Sequence, residues 1–149
     1  MKTACLAFLV STVSATAPLA AQEAPYLDNR SDAAQLVKSL YSAIGRHEYA
    51  RAWDYFGDDK PAKDFAAFVK GYEDTRSVSV LTGPVSEEGA AGSRFFEVPV
   101  AIRAIGADGS ERMFGGCYSA RLTGPQLQEP PFRPMHLVKG TLKPGEGAL

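Results

Sequence analysis

From Asp32 onward, apolar residues recur every three or four positions, and Ala33, Leu36, Val37, Leu40, Tyr41 and Ile44 fall on one helical face. Asp32 followed by Gln35 is a capping-box-like start, and Gly45 is the expected C-cap. A second helix follows at once, with Tyr49, Ala52, Trp53 and Phe56 on one face and a stop at Gly57-Asp58-Asp59. Its face predicts that Trp53 is buried between helix and sheet. Lys60-Pro61 makes the next turn, and a third helix groups Phe65, Phe68, Val69 and Tyr72. The period then changes to strict alternation. Val78 and Val80 alternate with serines, Phe96, Val98, Val100 and Ile102 share one parity, and Phe114, Tyr118, Ala120 and Leu122 share another stripe. Asp108-Gly109 between the last two runs is a hairpin signal. A further strand is predicted from about Met135 to Leu142, after the Pro-rich connection from Gly124 to Pro134.

Helices followed by a meander of strands predict an α+β fold, with three N-terminal helices packed on a curved antiparallel sheet of about four strands. Pro99 lacks a ladder donor and asks for an edge or a bulge. Gly115-Gly116 within a strand asks for a bulge or bend, and adjacent Leu137 and Val138 point to a slip of inward parity. The expected organisation is a single domain over 31–143, a flexible lead-in over 22–30 and a flexible tail over 144–149. Such a curved sheet, closed by helices, encloses a cone.

The opening residues add a compartment. Lys2, the apolar stretch beginning at Ala4 and the small residues up to Ala21 read as a secretory signal peptide over 1–21, with the cut at Ala21-Gln22. The expected location is therefore exported, in the periplasm. Removing that segment with Lys2 leaves 15 basic residues against 17 acidic ones, a net charge of −2. That balance gives no electrostatic footprint for nucleic acid. Beyond the leader no apolar run reaches the roughly 18 residues of a membrane span. Cys117 becomes the single cysteine, which rules out an internal disulfide, and it is expected to be half-buried.

The segment Tyr41-Ser42-Ala43-Ile44-Gly45-Arg46-His47-Glu48-Tyr49-Ala50-Arg51-Ala52-Trp53 resembles the opening pattern of the nuclear-transport-factor-2-like, or SnoaL-like, cone superfamily. The stretch from Phe68 through Gly71-Tyr72, Val78-Ser79-Val80, Gly89-Ala90-Ala91-Gly92 and Val98-Pro99-Val100 further resembles small exported bacterial proteins of this architecture. The resemblance runs from about Asp32 to Lys143. It implies a cone-shaped fold, dimerisation through the sheet, and a pocket that is catalytic in some relatives and a binding surface in many. Ketosteroid-isomerase-like and dehydratase-like relatives place Asp, His or Tyr groups inside the cone. No such set is matched here residue by residue, so none is carried over.

The candidate chemistry is sparse. His47 and His136 are the two histidines, with no ligand pair at metal spacing, so neither a metal nor an organic cofactor is expected. Asp54, Asp58 and Asp59 read as helix-end and turn residues, and Glu87-Glu88 and Glu111-Arg112 as exposed loop and hairpin charges. Aromatic residues crowd the helices, so a cone left partly unfilled would be an apolar pocket with a few hydroxyls, lined by Tyr41, Trp53, Phe56, Tyr72, Phe96 and Tyr118. The expected function is a non-catalytic binding or interaction module for a small apolar or amphipathic ligand, or one docking through its sheet. The alternative is a cofactor-free isomerase, dehydratase or hydrolase, with His136 as base and Tyr118 or another cone tyrosine as donor. Phe95, of opposite parity to the core stripe, marks the sheet face on which a homodimer would form.

Overall fold

The structure, a computed structural model, describes residues 23–145. The leader over 1–21 and residues 146–149 of the expected tail lie outside the described residues. In chain order, α1 (Ala33–Gly45), α2 (Tyr49–Asp54) and α3 (Phe65–Lys70) precede β1 (Thr75–Thr82), β2 (Ser86–Ala90), β3 (Ser93–Gly106), β4 (Glu111–Thr123) and β5 (Met135–Pro144). The fold is α+β. The strands form one open antiparallel sheet of order β1-β3-β4-β5, with β2 paired to the first half of β3 beyond the end of β1.

Five strands replace the expected four. The addition is β2, whose residues Ser86 to Ala90 are all exposed and carry no apolar alternation. Glu87 and Glu88 are thus ladder residues and not loop charges. What creates β2 is its tight turn, where Ala91 and Gly92 both take positive φ, at 49° and 75°. Pro99 sits opposite the junction of β1 and β2, where no ladder N–H is required, and its carbonyl accepts from Gly83 N at 2.8 Å. The bulge falls at Val138, since Ser119 pairs with Lys139 while Ala120 pairs with Leu137. Adjacent apolar residues at 137 and 138 therefore mark a real change of parity.

Asp32 caps α1 through its carboxylate, which accepts from Gln35 N at 2.8 Å. Gly45 is not a left-handed cap: Arg46 is the C-cap, and positive φ falls on His47 at 58°. Gly45 instead gives close passage, because a Cβ there would lie 3.2 Å from Ala24 Cβ. The lead-in lies against the back of α1 by paired bonds. Asn29 N donates to Ser39 Oγ at 2.8 Å and Leu27 N to Ser42 Oγ at 2.9 Å, and Ser42 Oγ donates to Pro25 O at 2.7 Å. Ser39 is fully buried, so these bonds satisfy a hydroxyl that would otherwise be stranded.

The core lies between α1 and the inner sheet face, built on Leu36, Val37, Leu40, Ile44, Val98, Val100, Ala120 and Leu137. α2 enters it differently from expectation. Tyr55 is fully buried, whereas Trp53 is only half-buried and packs between α2 and α3 against Phe65 and Phe68, with ring centroids 5.8 and 5.4 Å away. The cause is that α2 stops after six residues and the chain straightens beside β5. Leu137 N donates to Tyr55 O at 2.8 Å and Gly57 N to Leu137 O at 3.0 Å, so Phe56 forms a parallel bridge to Leu137. This turns Tyr55 and Phe56 inward and leaves Trp53 at the helix–helix seam. Lys60 Nζ closes the end of α2 on the carbonyls of Trp53 and Phe56, at 3.2 and 2.9 Å.

Candidate ligand cavity

The inner sheet face is not filled along its whole length. On β4 the inward positions run Arg112, Phe114, Gly116, Tyr118, Ala120, and across the ladder stand Ala104 and Ile102 of β3 and Gly140 and Leu142 of β5. The packed half ends at Tyr118. Beyond it Gly116 and Ala104 put little or nothing into the space that α3 covers. The close approach of β5 demands Gly116, since a Cβ there would collide with the carbonyl of Thr141. Gly140 in turn makes room for the Tyr118 ring, whose Cε1 would lie 2.7 Å from a Cβ at that position.

The result is an open cavity of about 390 Å³ between α3, the Pro61-Ala62 turn and the β3–β4 hairpin end of the sheet. Phe68, Tyr72, Val78, Ile102, Phe114 and Leu142 supply its apolar wall, Tyr41 its deep end and Arg112 its one charged group. At the deep end Tyr41 and Tyr118 join hydroxyls at 2.9 Å, with their rings edge to face 6.1 Å apart. Two hydroxyl protons meet in a pair that holds one hydrogen bond, so one O–H remains to donate. Either hydroxyl can donate in the pair, and when Tyr118 donates to Tyr41 the spare proton belongs to the residue that lines the cavity.

Burial, first of all, raises the pKa of Tyr41 well above the ordinary tyrosine value, and the neighbouring Tyr118 adds to it. Tyr118 is likewise pushed far up by burial, with Tyr72 adding to the rise. Burial also raises Tyr72, with Tyr49 contributing. All three stay protonated at neutral pH and act as neutral donors. The polar groups presented to an occupant are thus hydroxyls and one guanidinium.

Of the six pocket residues expected from sequence, Tyr41 and Tyr72 line this cavity and Tyr118 backs Tyr41. Trp53 stands at the α2–α3 seam, Phe56 is buried against β5, and Phe96 is buried with the Arg94 guanidinium 5.5 Å from its ring centre. Sequence reasoning missed Phe68, Phe114 and Leu142 as lining residues although each was assigned a core parity or an inward strand. Arg112 is exposed at the hairpin end, as its sequence context implies, and its parity with Phe114 also puts it at the rim of the inner face.

His136 is elsewhere. It pairs with Arg121, whose parity is opposite to that of Tyr118, and so belongs to the outer face. A second, polar cavity of about 250 Å³ holds it with Arg121, Arg133, Asp58 and Glu129 beneath the Pro-rich connection. His136 Nδ1 lies 3.0 Å from Arg133 O, and since a carbonyl only accepts, Nδ1 is the donor of this bond. A Cβ on Gly57 would strike this ring, so glycine is needed where the chain passes beneath it. His136 and the tyrosines therefore share no cavity. The Val138 bulge explains this: parity read back from Leu142 differs from parity read at Leu137.

On the outer face Arg121 donates from Nε and Nη2 to Ser93 Oγ, at 3.0 and 2.9 Å, and covers the half-buried Phe95 with its guanidinium 5.7 Å from the ring centre. Cys117 is half-buried on the same face. Among the described residues no three His, Cys, Asp or Glu side chains gather as a metal cage, and no helix is long and apolar enough to cross a membrane. Compared with known proteins, the chain matches no family model, no curated protein and no solved structure.

Proposed function

We propose that this chain is an exported binding module of the nuclear-transport-factor-2-like cone type, holding a small apolar or amphipathic molecule between α3 and the inner sheet face. The observation that carries the reading is the open apolar cavity ending on the Tyr41–Tyr118 hydroxyl pair. Its volume of about 390 Å³ lies within the size of small-molecule sites, which are mostly apolar with a few placed polar groups. Neutral tyrosine hydroxyls suit recognition of a carbonyl or hydroxyl on the ligand, because they donate without needing to give up a proton. The test is binding of phenylnaphthylamine, a neutral apolar probe whose emission rises on leaving water. Wild type should bind it with saturation, and Ala104→Phe, which fills the cavity from its sheet wall, should abolish binding while keeping the wild-type circular dichroism. Unchanged probe binding in a folded Ala104→Phe variant would defeat the reading.

Docking through the outer sheet face is a second reading, favoured by Leu81, which is 68% exposed and paired with the small Ala101 on that face. Light scattering at micromolar concentration should then give a dimer mass that falls to the monomer value in Phe95→Asp. A monomeric wild type would remove this reading.

A further inference from the structure

We infer that the cavity's ligand is an amphipathic monocarboxylic acid, with its apolar body against Phe68, Ile102 and Phe114 and its carboxylate on the Arg112 guanidinium. The inference rests on the binding role proposed above and adds the chemical class of the ligand.

Arg112 takes an inward place in the ladder but is exposed, at the open end of the cavity. It pairs with Ala104 and stands two residues before Phe114, so a charge sits in a stripe that is otherwise apolar. Its neighbours on the hairpin strands are differently placed. Arg103 is bound to Glu111 at 2.6 Å on the opposite face, and Arg94 is bound to Glu87. Glu111 is thereby occupied, while Asp108 accepts from Ser110 N and Oγ at 2.9 and 2.7 Å. Among the described residues Arg112 makes no direct ion pair, although it stands near enough to Asp108 to help hold that carboxyl below its ordinary range. Its place is also the seam between two environments, since it lines both the apolar cavity and a polar groove with Asp74, Asp108 and Ser110.

A carboxylate cannot enter the apolar interior without large desolvation, so an acidic amphiphile must leave its head at such a seam. A guanidinium there matches a carboxylate with two parallel N–H donors. The two aspartates across the groove repel further negative charge, which selects a monoanion over a phosphate dianion.

The experiment displaces phenylnaphthylamine from the full protein with decanoate, decanol and decyl phosphate at low and moderate salt. Wild type should prefer decanoate over decanol by about tenfold, the ratio typical of one charge-assisted bond at a wet site, and over decyl phosphate as well. Added salt should shrink the preference. Arg112→Gln should bring decanoate and decanol within about twofold of each other, and Arg112→Glu should turn the preference against the acid. Equal competition by decanoate and decanol in wild type overturns the inference while leaving the cavity's binding role intact. Tighter binding of decyl phosphate overturns the monocarboxylate assignment. Failure of phenylnaphthylamine itself to bind wild type removes the cavity reading and this inference together.

Discussion

The two ends of the sheet's inner face differ more than their sequences do. At one end Leu36, Leu40, Val98, Ala120 and Leu137 are sealed between α1 and the sheet, with none more than 1% exposed. At the other, Val78, Phe114 and Leu142 obey the same alternation yet stay only partly buried around an open cavity. The contrast comes from what lies across from each stripe. α1 has 13 residues and spans the sheet, whereas α3 has six and offers Phe68 as its one buried side chain. Small inward residues at Ala104 and Gly116 complete the gap. An apolar pattern thus specifies which way a side chain points, and the length of the facing helix decides whether anything meets it there.

The comparison can be broken most directly at the packed end. Leu40→Ala should cost about 2–5 kcal/mol, because a sealed site relaxes little around a lost side chain. Urea unfolding with an unchanged slope would measure it, and a loss well under that range would mean that the packed end is not sealed. Trp53→Ala should cost less, about 1–3 kcal/mol, because the indole is half-buried at a helix–helix seam and not within the core. Its fluorescence should accordingly report a partly wet environment. At the open end Phe114→Ala should cost only about 1 kcal/mol, since one side of the ring already faces the cavity. Equal costs for Leu40→Ala and Phe114→Ala would erase the distinction between the two ends.

The boundary between the ends can be read by pH. Tyr41 and Tyr118 have folded-state pKa values raised chiefly by burial, so the unfolded chain loses these protons first as pH rises. Their contribution is complete below the ordinary tyrosine value of about 10 and is lost as pH climbs from there toward the folded values. Stability should be flat in this respect near neutrality and fall above about pH 10. Tyr118→Phe should change neutral-pH stability by about 1 kcal/mol or less and make the alkaline fall shallower. An identical alkaline fall in wild type and Tyr118→Phe would show that the pair is solvated rather than enclosed.

Much of the secondary structure was legible because it is written in local periods. The Asp32 cap, the face of α1, the turn at Asp108-Gly109 and the inward stripes of β3 and β4 all follow from neighbouring residues. β2 was not legible, because its five residues carry no apolar alternation and it forms through a turn that puts Ala91 at positive φ. The lead-in lacks any period, and the bonds of its backbone to Ser39 and Ser42, two serines one turn apart on α1, have no signal in the sequence. Tyr41 and Tyr72 were legible as pocket residues, being aromatics on amphipathic helices. Phe56 departs from the α2 period because the chain leaves the helix after Asp54 to pair with β5, whereas Trp53, still within α2, packs against α3 and not the sheet.

Local repeats alone set the α+β class, the order of helices before strands, and the inner faces of β1, β3 and β4, since these depend on residues a few positions apart. Arg112 already stood in an inward stripe, two residues from Phe114. Only the tertiary structure decided that the stripe ends in an open space, that Tyr41 meets Tyr118 across 77 residues of chain, and that His136 faces away from both. Such outcomes depend on where distant elements stop and how closely their backbones approach. A six-residue α3, the bulge at Val138 and the side-chain-free Gly116 decide them, and no local period encodes what stands opposite.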